Sequence, residues 1–384
     1  MANVLPFCAT RYHNDINLEQ VTAPPYDVLN QTLIDQLRNQ SPYNAVYLSR
    51  NPSKDTEHLY DHIPVLFQQW HDNQILIKDK QPMFYYAKDT FMFEGKKQTR
   101  EGFFAIIEVL EGKTKVIPHE HTIRAHIKDR LDLMDKTNAL LSPIFLISDD
   151  KGAPLHEIIS QIKPEQMRTF HRMDAGEDQE FGLIKDPKHI EAIQEYFQTR
   201  DLLIADGHHR FKTALEYAKT HQTKAYVLAF IVSSADPGLV LSSIHRAVKH
   251  EEDVLTWMNQ RKDLFNSHIL SKEVFSNSSA PFALLDYKNQ KMYLYKHPED
   301  ETPTLSFQEN ILEKQMGIDL RTDEGQKRLR FFKHDHDLET YIDQHKALGF
   351  WLKPMTIQSV FRVCKRGEIL PQKTTYFYPK VLDG

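Results

Sequence analysis

Five residues in a row, Asp206, Gly207, His208, His209 and Arg210, stand where an apolar run gives way to a helical pattern in IADGHHRFKTAL (204–215). Amides that open a helix lack intrahelical acceptors and carry partial positive charge, so such a junction attracts anions. Gly207 lets backbone approach a ligand with no Cβ in the way. The planar fork of Arg210 matches two phosphate oxygens. His208 and His209 add donors near neutral pH, or metal ligands. Asp206 has three uses: helix cap, Mg2+ ligand or proton acceptor. A cap alone leaves the two histidines and the arginine unexplained, so the junction reads as an anion site, with phosphate the first candidate.

Other stretches carry groups of the same kind. APPYDV (23–28) sets Tyr26 and Asp27 after two prolines that restrict the backbone, which either fixes two polar groups in a loop or makes Asp27 a helix cap. PHEHT (118–122) lines up His119, Glu120 and His121; His-x-His on a strand can clasp zinc, and Glu120 can serve as base, yet no third ligand stands at a standard spacing. His245 and Arg246 end a strand-like run in SSIHRAV (242–248). PQKTTYFYPK (371–380) places Lys373 and Thr374 beside three aromatics, as the closure of an anion site or as a strand with an aromatic core face. No Walker loop, Gly-x-Gly-x-x-Gly or Gly-x-Ser-x-Gly is present.

The elements that must position these groups are legible in outline. DLLIA (201–205) suits a buried strand, and Phe211, Ala214, Leu215 and Ala218 then share one helical face. KHIEAIQEYFQ (188–198) reads as a helix and KAYVLAFIVSS (224–234) as another buried strand. MFYYAKDTFMF (83–93) and REGFFAIIEVL (100–110) form a hairpin across EGKKQT, and FALLDYKNQKMYLYK forms a second one. Residues 116–147 run strand, loop, helix, strand, with Ile127, Leu131 and Met134 on one helical face. NAVYLSR (44–50) is strand-like and LIDQLRNQ helical; DPGL (236–239) is a turn. Strands and helices mix without regular alternation, so an α+β fold is expected, with a soft boundary near residue 250: a core over 1–250 and an α+β portion over 251–384.

With 384 residues, 40% hydrophobic and 26% charged, the chain can bury a sizeable core. A net charge of -5 gives no electrostatic case for nucleic acid. No apolar run nears the roughly 18–20 residues of a membrane span, the first twenty residues lack a signal-peptide pattern, and Cys8 and Cys364 are too few for a disulfide framework. A cytoplasmic protein without membrane contact is expected.

PPYDV, PYN (42–44), PHEHT, DRL (129–131), LSPIF, ADGHHR, DPGL and PQKTTYFYPK occur in the order of a bacterial family, domain of unknown function 1015, which the chain resembles over nearly its whole length. Asp-Gly-His-x-Arg also resembles the phosphate-binding signature of the ParB/sulfiredoxin superfamily, which includes free serine kinases and CTP-binding ParB proteins. That resemblance implies a ParB/sulfiredoxin-like core with a mixed sheet. It makes Gly207, His208, His209 and Arg210 the donor cradle and places Asp206 near metal or acceptor; His119, Lys373 and Thr374, from the other motifs, are the further phosphate-binding candidates. His208 stands where the sulfiredoxin motif has its reactive Cys, so peroxiredoxin repair is not implied.

The function expected is a small-molecule phosphotransferase acting on an alcohol group, of free serine or a similar hydroxyl compound. ATP, ADP or pyrophosphate serves as donor with Mg2+ bridging its phosphates, and Glu120 or Asp27 takes the acceptor's proton. Two alternatives remain open: a metal-dependent hydrolase built on His119, His121, His208 and His209, and a nucleotide-binding module without turnover.

Overall fold

The hairpin pattern between residues 83 and 110 becomes the spine of a large sheet. Phe84–Phe93 (β2) and Lys96–Val109 (β3) pair antiparallel across Glu94 and Gly95, whose φ angles of 48° and 75° are both positive. That is the backbone of a two-residue turn matched to strand twist, so the hairpin is tighter than EGKKQT suggests and β3 begins at Lys96. The computed structural model describes residues 3–49, 60–109, 115–120, 122, 124–172, 176–250, 252–297, 302–320, 322–371 and 373–384. They fall into two units: Met1–Pro118, Thr122–Val240 and Pro379–Gly384 form one, His119–His121 and Leu241–Tyr378 the other.

The first unit adds Asn3–Leu5 (β1), Val116–Ile117 (β4), Ile144–Ser148 (β5), Glu165–Arg172 (β6), Glu177–Ile184 (β7), Leu202–Asp206 (β8) and Ala225–Ser233 (β9). The strand order is β4-β8-β5-β9-β3-β2-β7-β6, with β1 on the far end of β3. β4 runs parallel to β8 and β5 to β9, whereas the other pairings are antiparallel. This mixed sheet with its helices is the α+β architecture expected.

Alternation along the strands separates two faces. Phe103, Ala105 and Ile107 of β3 join Val227 and Ala229 of β9 in a core closed by Ile159, Ile193, Phe211 and Ala214 of the covering helices. Phe104, Ile106 and Leu228 point the other way. NAVYLSR departs from its strand-like pattern: Val46–Ser49 (α1) is a short helix. The fully buried Asn44 starts it by accepting from the Val46 amide at 3.0 Å, while its own amide donates to the carbonyls of Gln20 and Thr22. A side chain that satisfies neighbouring backbone in this way overrides β propensity.

The second unit is built on a six-stranded antiparallel sheet that includes the second hairpin, Phe282–Asp286 with Lys291–Tyr295. Trp257, Phe282, Phe307 and Phe350 fill its core. No helix among the described residues is long and apolar enough to cross a membrane.

Within the first unit a buried ion cluster holds the segment 379–384. Asp89 of β2 is 1% exposed and Arg100 of β3 is fully buried. Asp89 Oδ2 accepts from Arg100 Nη2 at 2.5 Å, and its Oδ1 accepts from Arg172 Nη1 at 2.9 Å and Gln179 Nε2 at 2.7 Å. Burial works against the Asp89 charge, but the two guanidinium groups outweigh it and hold the carboxyl below its usual range. The guanidinium hydrogens left over go to main chain: Arg100 Nη1 donates to Pro379 O at 2.9 Å and Arg172 Nη2 to Lys380 O at 2.5 Å. Three residues on, Asp383 pairs with Ala23 through two backbone hydrogen bonds of 2.8 and 3.0 Å.

Asp89→Ala would leave two buried guanidinium groups without their counter-charge, a loss of about 3–5 kcal/mol. Urea denaturation should register that drop, and a change under about 1 kcal/mol would contradict the cluster's assigned weight.

Candidate functional site

The register of β8 with β5 slips between Ile204 and Asp206, an irregularity that re-aims the end of the strand. Gly207 follows with φ 97°, a left-handed conformation, and a Cβ there would sit 2.7 Å from Ile144 Cγ2. Only glycine meets both demands. The helix His208–His221 (α2) then starts, its apolar face set by Phe211, Ala214 and Ala218. Gly207 is its N-cap and no side chain caps the first turn, so Asp206 is not the helix cap. Its carboxylate has other partners.

Asp206 Oδ2 accepts from Arg210 Nη2 at 2.7 Å, and Oδ1 accepts from Lys380 Nζ. Burial would raise the Asp206 carboxyl, but Lys380 and then Arg210 hold it well below the usual carboxylate range. Arg210 Nη1 donates to Pro143 O, so both outer nitrogens of the fork have protein partners. The arginine keeps its charge against burial because Asp206, Asp27 and Asp383 favour it. His208 is 7% exposed, and His209 lies against His126 with ring centroids 5.0 Å apart. His208, His209, Arg210 and Asp206 are therefore brought together, although Arg210 is engaged rather than waiting with an open fork.

The APPYDV loop joins the same field. Tyr26, Asp27 and Val28 form one 3-10 turn, with Tyr26 buried and Asp27 exposed. The cap of the following helix is Asn30, which accepts from the Leu33 amide at 2.9 Å, so Asp27 is not the cap either. The Arg130 guanidinium lies 4.1 Å from the Tyr26 ring centre and donates to Asp129, to Tyr60 Oη at 2.7 Å and to Ser49 O at 3.1 Å. Tyr26 feels both Arg130 and Arg210, which partly oppose the rise that burial imposes on its hydroxyl. PPYDV, DRL and ADGHHR are thus one charge network, with PYN holding the loop behind it through Asn44.

Two contributors were missed in sequence. Lys380 lay inside a quoted motif whose Lys373 and Thr374 drew attention instead. Asp383 had no signal at all. It is 1% exposed, and its Oδ2 accepts from Ser142 Oγ at 2.8 Å, while Oδ1 is buried with no hydrogen-bond partner among the described residues. Burial pushes its carboxyl up to about 7, against the pull of Arg210, Ser142 and Arg130; Asp27 adds to the rise.

The remaining expected residues belong to the second unit. His119 is fully buried there, with Nε2 2.8 Å from Thr375 Oγ1 and 3.8 Å from Glu120 Oε1. Glu120 bridges to Leu370, and its charge favours that of buried Arg246, which burial lowers to about 9. Arg246 Nη2 donates to Lys373 O at 2.6 Å, and Thr374 Oγ1 to Pro371 O at 2.6 Å. PHEHT, SSIHRAV and PQKTTYFYPK therefore converge, but the Lys373 ammonium is exposed and Thr374 serves its own turn. His245 pairs with Asp335 at 2.8 Å. His121 lies outside the described residues. Among those described, no group of three His, Cys, Asp or Glu is placed to hold a metal ion. Asp236 of DPGL accepts from the Glu101 and Gly238 amides and shapes a turn.

The family model described as "Protein of unknown function (DUF1015)" matches residues 4–320. The chain belongs to the DUF1015 family. No curated protein matches it. Among solved structures, this DUF1015 chain is similar to a conserved hypothetical protein from Pyrococcus furiosus, at 18% identity over 73% of this chain and 93% of that one, with a TM-score of 0.38. It is also similar to a free serine kinase mutant in complex with ADP (15% identity, 71% and 87% covered, TM-score 0.39) and to a free serine kinase in complex with AMP (16%, 71% and 86%, 0.37).

Asp383 gives a pH signature. Its folded value of about 7 lies above the ordinary 3.9 or so of an unfolded Asp, so the folded chain holds the proton more tightly. The stability this lends is complete below about pH 4 and is lost as pH rises through about 7. Asp383→Asn, which cannot ionise, should flatten that decline, with a melting temperature above wild type near pH 8. Parallel melting profiles for the two proteins between about pH 4 and 8 would contradict the assignment.

Proposed function

We propose that the first unit is a phosphotransferase module that receives a small-molecule phosphate donor at the Asp206–Arg210 junction and delivers its phosphoryl group to an alcohol. One observation carries the reading: Lys380 and Arg210 both grip a single carboxylate, Asp206, beside the uncapped first turn of α2. Among the groups in direct contact, two cations meet one anion and leave a local surplus of positive charge, which Asp27 and Asp383 offset only through their field on Arg210. The amides of residues 208–210 add the partial charge of the helix end. A phosphate completes that balance by taking ammonium and guanidinium hydrogens now given to Asp206 and Pro143.

Phosphoryl transfer asks the protein mainly for positioning and charge neutralisation, which such a cradle supplies. The donor is a nucleoside polyphosphate or pyrophosphate. The donor set suits a metal that arrives with those phosphates: Asp206 offers one carboxylate, and Mg2+ is commonly held by one or two carboxylates together with phosphate oxygens and water. Mg2+ there would neutralise charge building on the donor's oxygens. Asp27, exposed in its turn and within the field of Arg210, is available to take the acceptor's proton. Glu120 keeps the electrostatic role beside Arg246 described above.

Calorimetric titration with inorganic pyrophosphate tests the cradle. Lys380→Ala and Arg210→Ala should each weaken binding by about 1.5–3 kcal/mol, roughly 10- to 150-fold, as for hydrogen bonds to charged groups. Wild-type affinity in both variants, with folding verified by melting temperature, would end the reading.

A further inference from the structure

The face of the large sheet turned away from α2 closes over a cavity of about 590 Å3, within the range of small-molecule sites. Phe104 and Ile106 of β3 floor it, with Leu141 among the other apolar side chains around it. Three cationic side chains also line it: Arg11, Lys78 and Arg168. Thr10–Tyr12 pairs antiparallel with Leu76–Lys78, which brings the first two together, and Arg168 lies near enough to Arg11 for their charges to repel. Their circumstances differ. Arg11 is answered by Asp79, which accepts from its Nε at 3.0 Å and from its Nη2 at 3.1 Å. Lys78 is exposed to solvent. Arg168 is half-buried, and what it meets are two carbonyls, His13 O at 3.4 Å and Ile16 O. No carboxylate of the described residues lies within ion-pair distance of it. Burial and then Arg11 work against its charge; Asp15 supports it only in part, being exposed and 3.3 Å from His13. A charge withdrawn from water is ordinarily matched by an opposite one. Asp383, the only carboxylate side chain in the lining among the described residues, does not supply the match: it is sealed against Ser142 and gives up its charge near neutral pH.

We propose that this cavity binds an amphipathic monocarboxylate, its apolar chain lying over Phe104 and Ile106 and its carboxylate paired with Arg168. The two carbonyls take two of the five guanidinium hydrogens, so Arg168 keeps donors for a carboxylate. One unanswered cation calls for one negative charge, which a carboxylate brings and an alcohol does not. The apolar floor calls for a chain, whose burial drives entry while the head group sets orientation. The site is separate from the phosphate cradle: none of residues 206–210 lines the cavity, although Pro143, which takes a hydrogen bond from Arg210, does. It therefore stands without the phosphotransferase reading.

Calorimetric titration of the full chain compares octanoate with 1-octanol, the same chain without the charge, and with acetate, the same charge without the chain. Octanoate should bind saturably and one-to-one, about tenfold or more tighter than octanol, as for hydrogen bonds to a charged group. Acetate should show no saturable binding. Arg168→Gln should bring octanoate down to the affinity of octanol. Lys78→Gln removes an equal charge from an exposed position and should cost octanoate less than about threefold. Leu141→Trp, which fills the chamber, should abolish binding of both. Melting temperatures identify any variant that fails to fold, and the wild-type comparison of octanoate with octanol needs no variant. Equal affinity for those two, or no saturable binding of octanoate, overturns the proposal. Equal losses in Arg168→Gln and Lys78→Gln overturn it as well, since they mark a diffuse positive field in place of a specific pair.

Discussion

The buried contact of Asp89 with Arg100 and Arg172 is the constraint on which the first unit's site depends. Three charges taken out of water are costly, and two strands and a hairpin partner are needed to keep them matched. The hydrogens that Asp89 does not use are spent on two successive carbonyls, those of Pro379 and Lys380. That fixes a segment far away in sequence against β3 and β6. With its main chain pinned at 379 and 380, and again at 383 through Ala23, the segment presents Lys380 to Asp206 and buries Asp383 against Ser142. An apolar triad of similar volume could match the stability, but it could not hold the carbonyls.

Around Arg210 the fold places two carboxylates in opposite circumstances. Asp206 has two cations in direct contact and stays charged; Asp383 has one hydroxyl donor and deep burial, and gives up its charge near neutral pH. Sites that handle a proton and an anion together commonly separate their carboxyl groups in this way. The αL conformation of Gly207, its contact with Ile144 and the slipped register before it all serve that arrangement, since they turn the chain so that Asp206 faces Arg210 and Lys380 rather than capping its own helix.

What could be read from the sequence follows a physical line. β8, α2, the helix over residues 187–196 and both hairpins announce themselves through periodicity and turn residues, which are local properties. The Asp206–Arg210 cluster was visible for the same reason. Lys380 and Asp383 were not, because their meaning arises only when the chain returns to the first unit across a sequence separation of 174 residues from Asp206 to Lys380. Asp89, Arg100 and Arg172 look like surface charges on alternating strands until the return segment covers them. NAVYLSR departs from its strand-like pattern because Asn44 ties local backbone together and turns the stretch into one helical turn. The capping alternatives for Asp206 and Asp27 do not hold, because neighbouring residues, Gly207 and Asn30, occupy the capping positions.

Amide hydrogen exchange across residues 379–384 in Asp89→Asn tests the central claim most directly. The variant keeps the side-chain shape and removes the charge that orients both guanidinium groups. The account predicts that the amides of Asp383 and Ala23, which donate to each other's carbonyls, lose protection while those of β5 and β9 retain it. Unchanged protection of the segment, with Arg100 and Arg172 still holding its carbonyls, would contradict the view that the buried charge cluster is what anchors it.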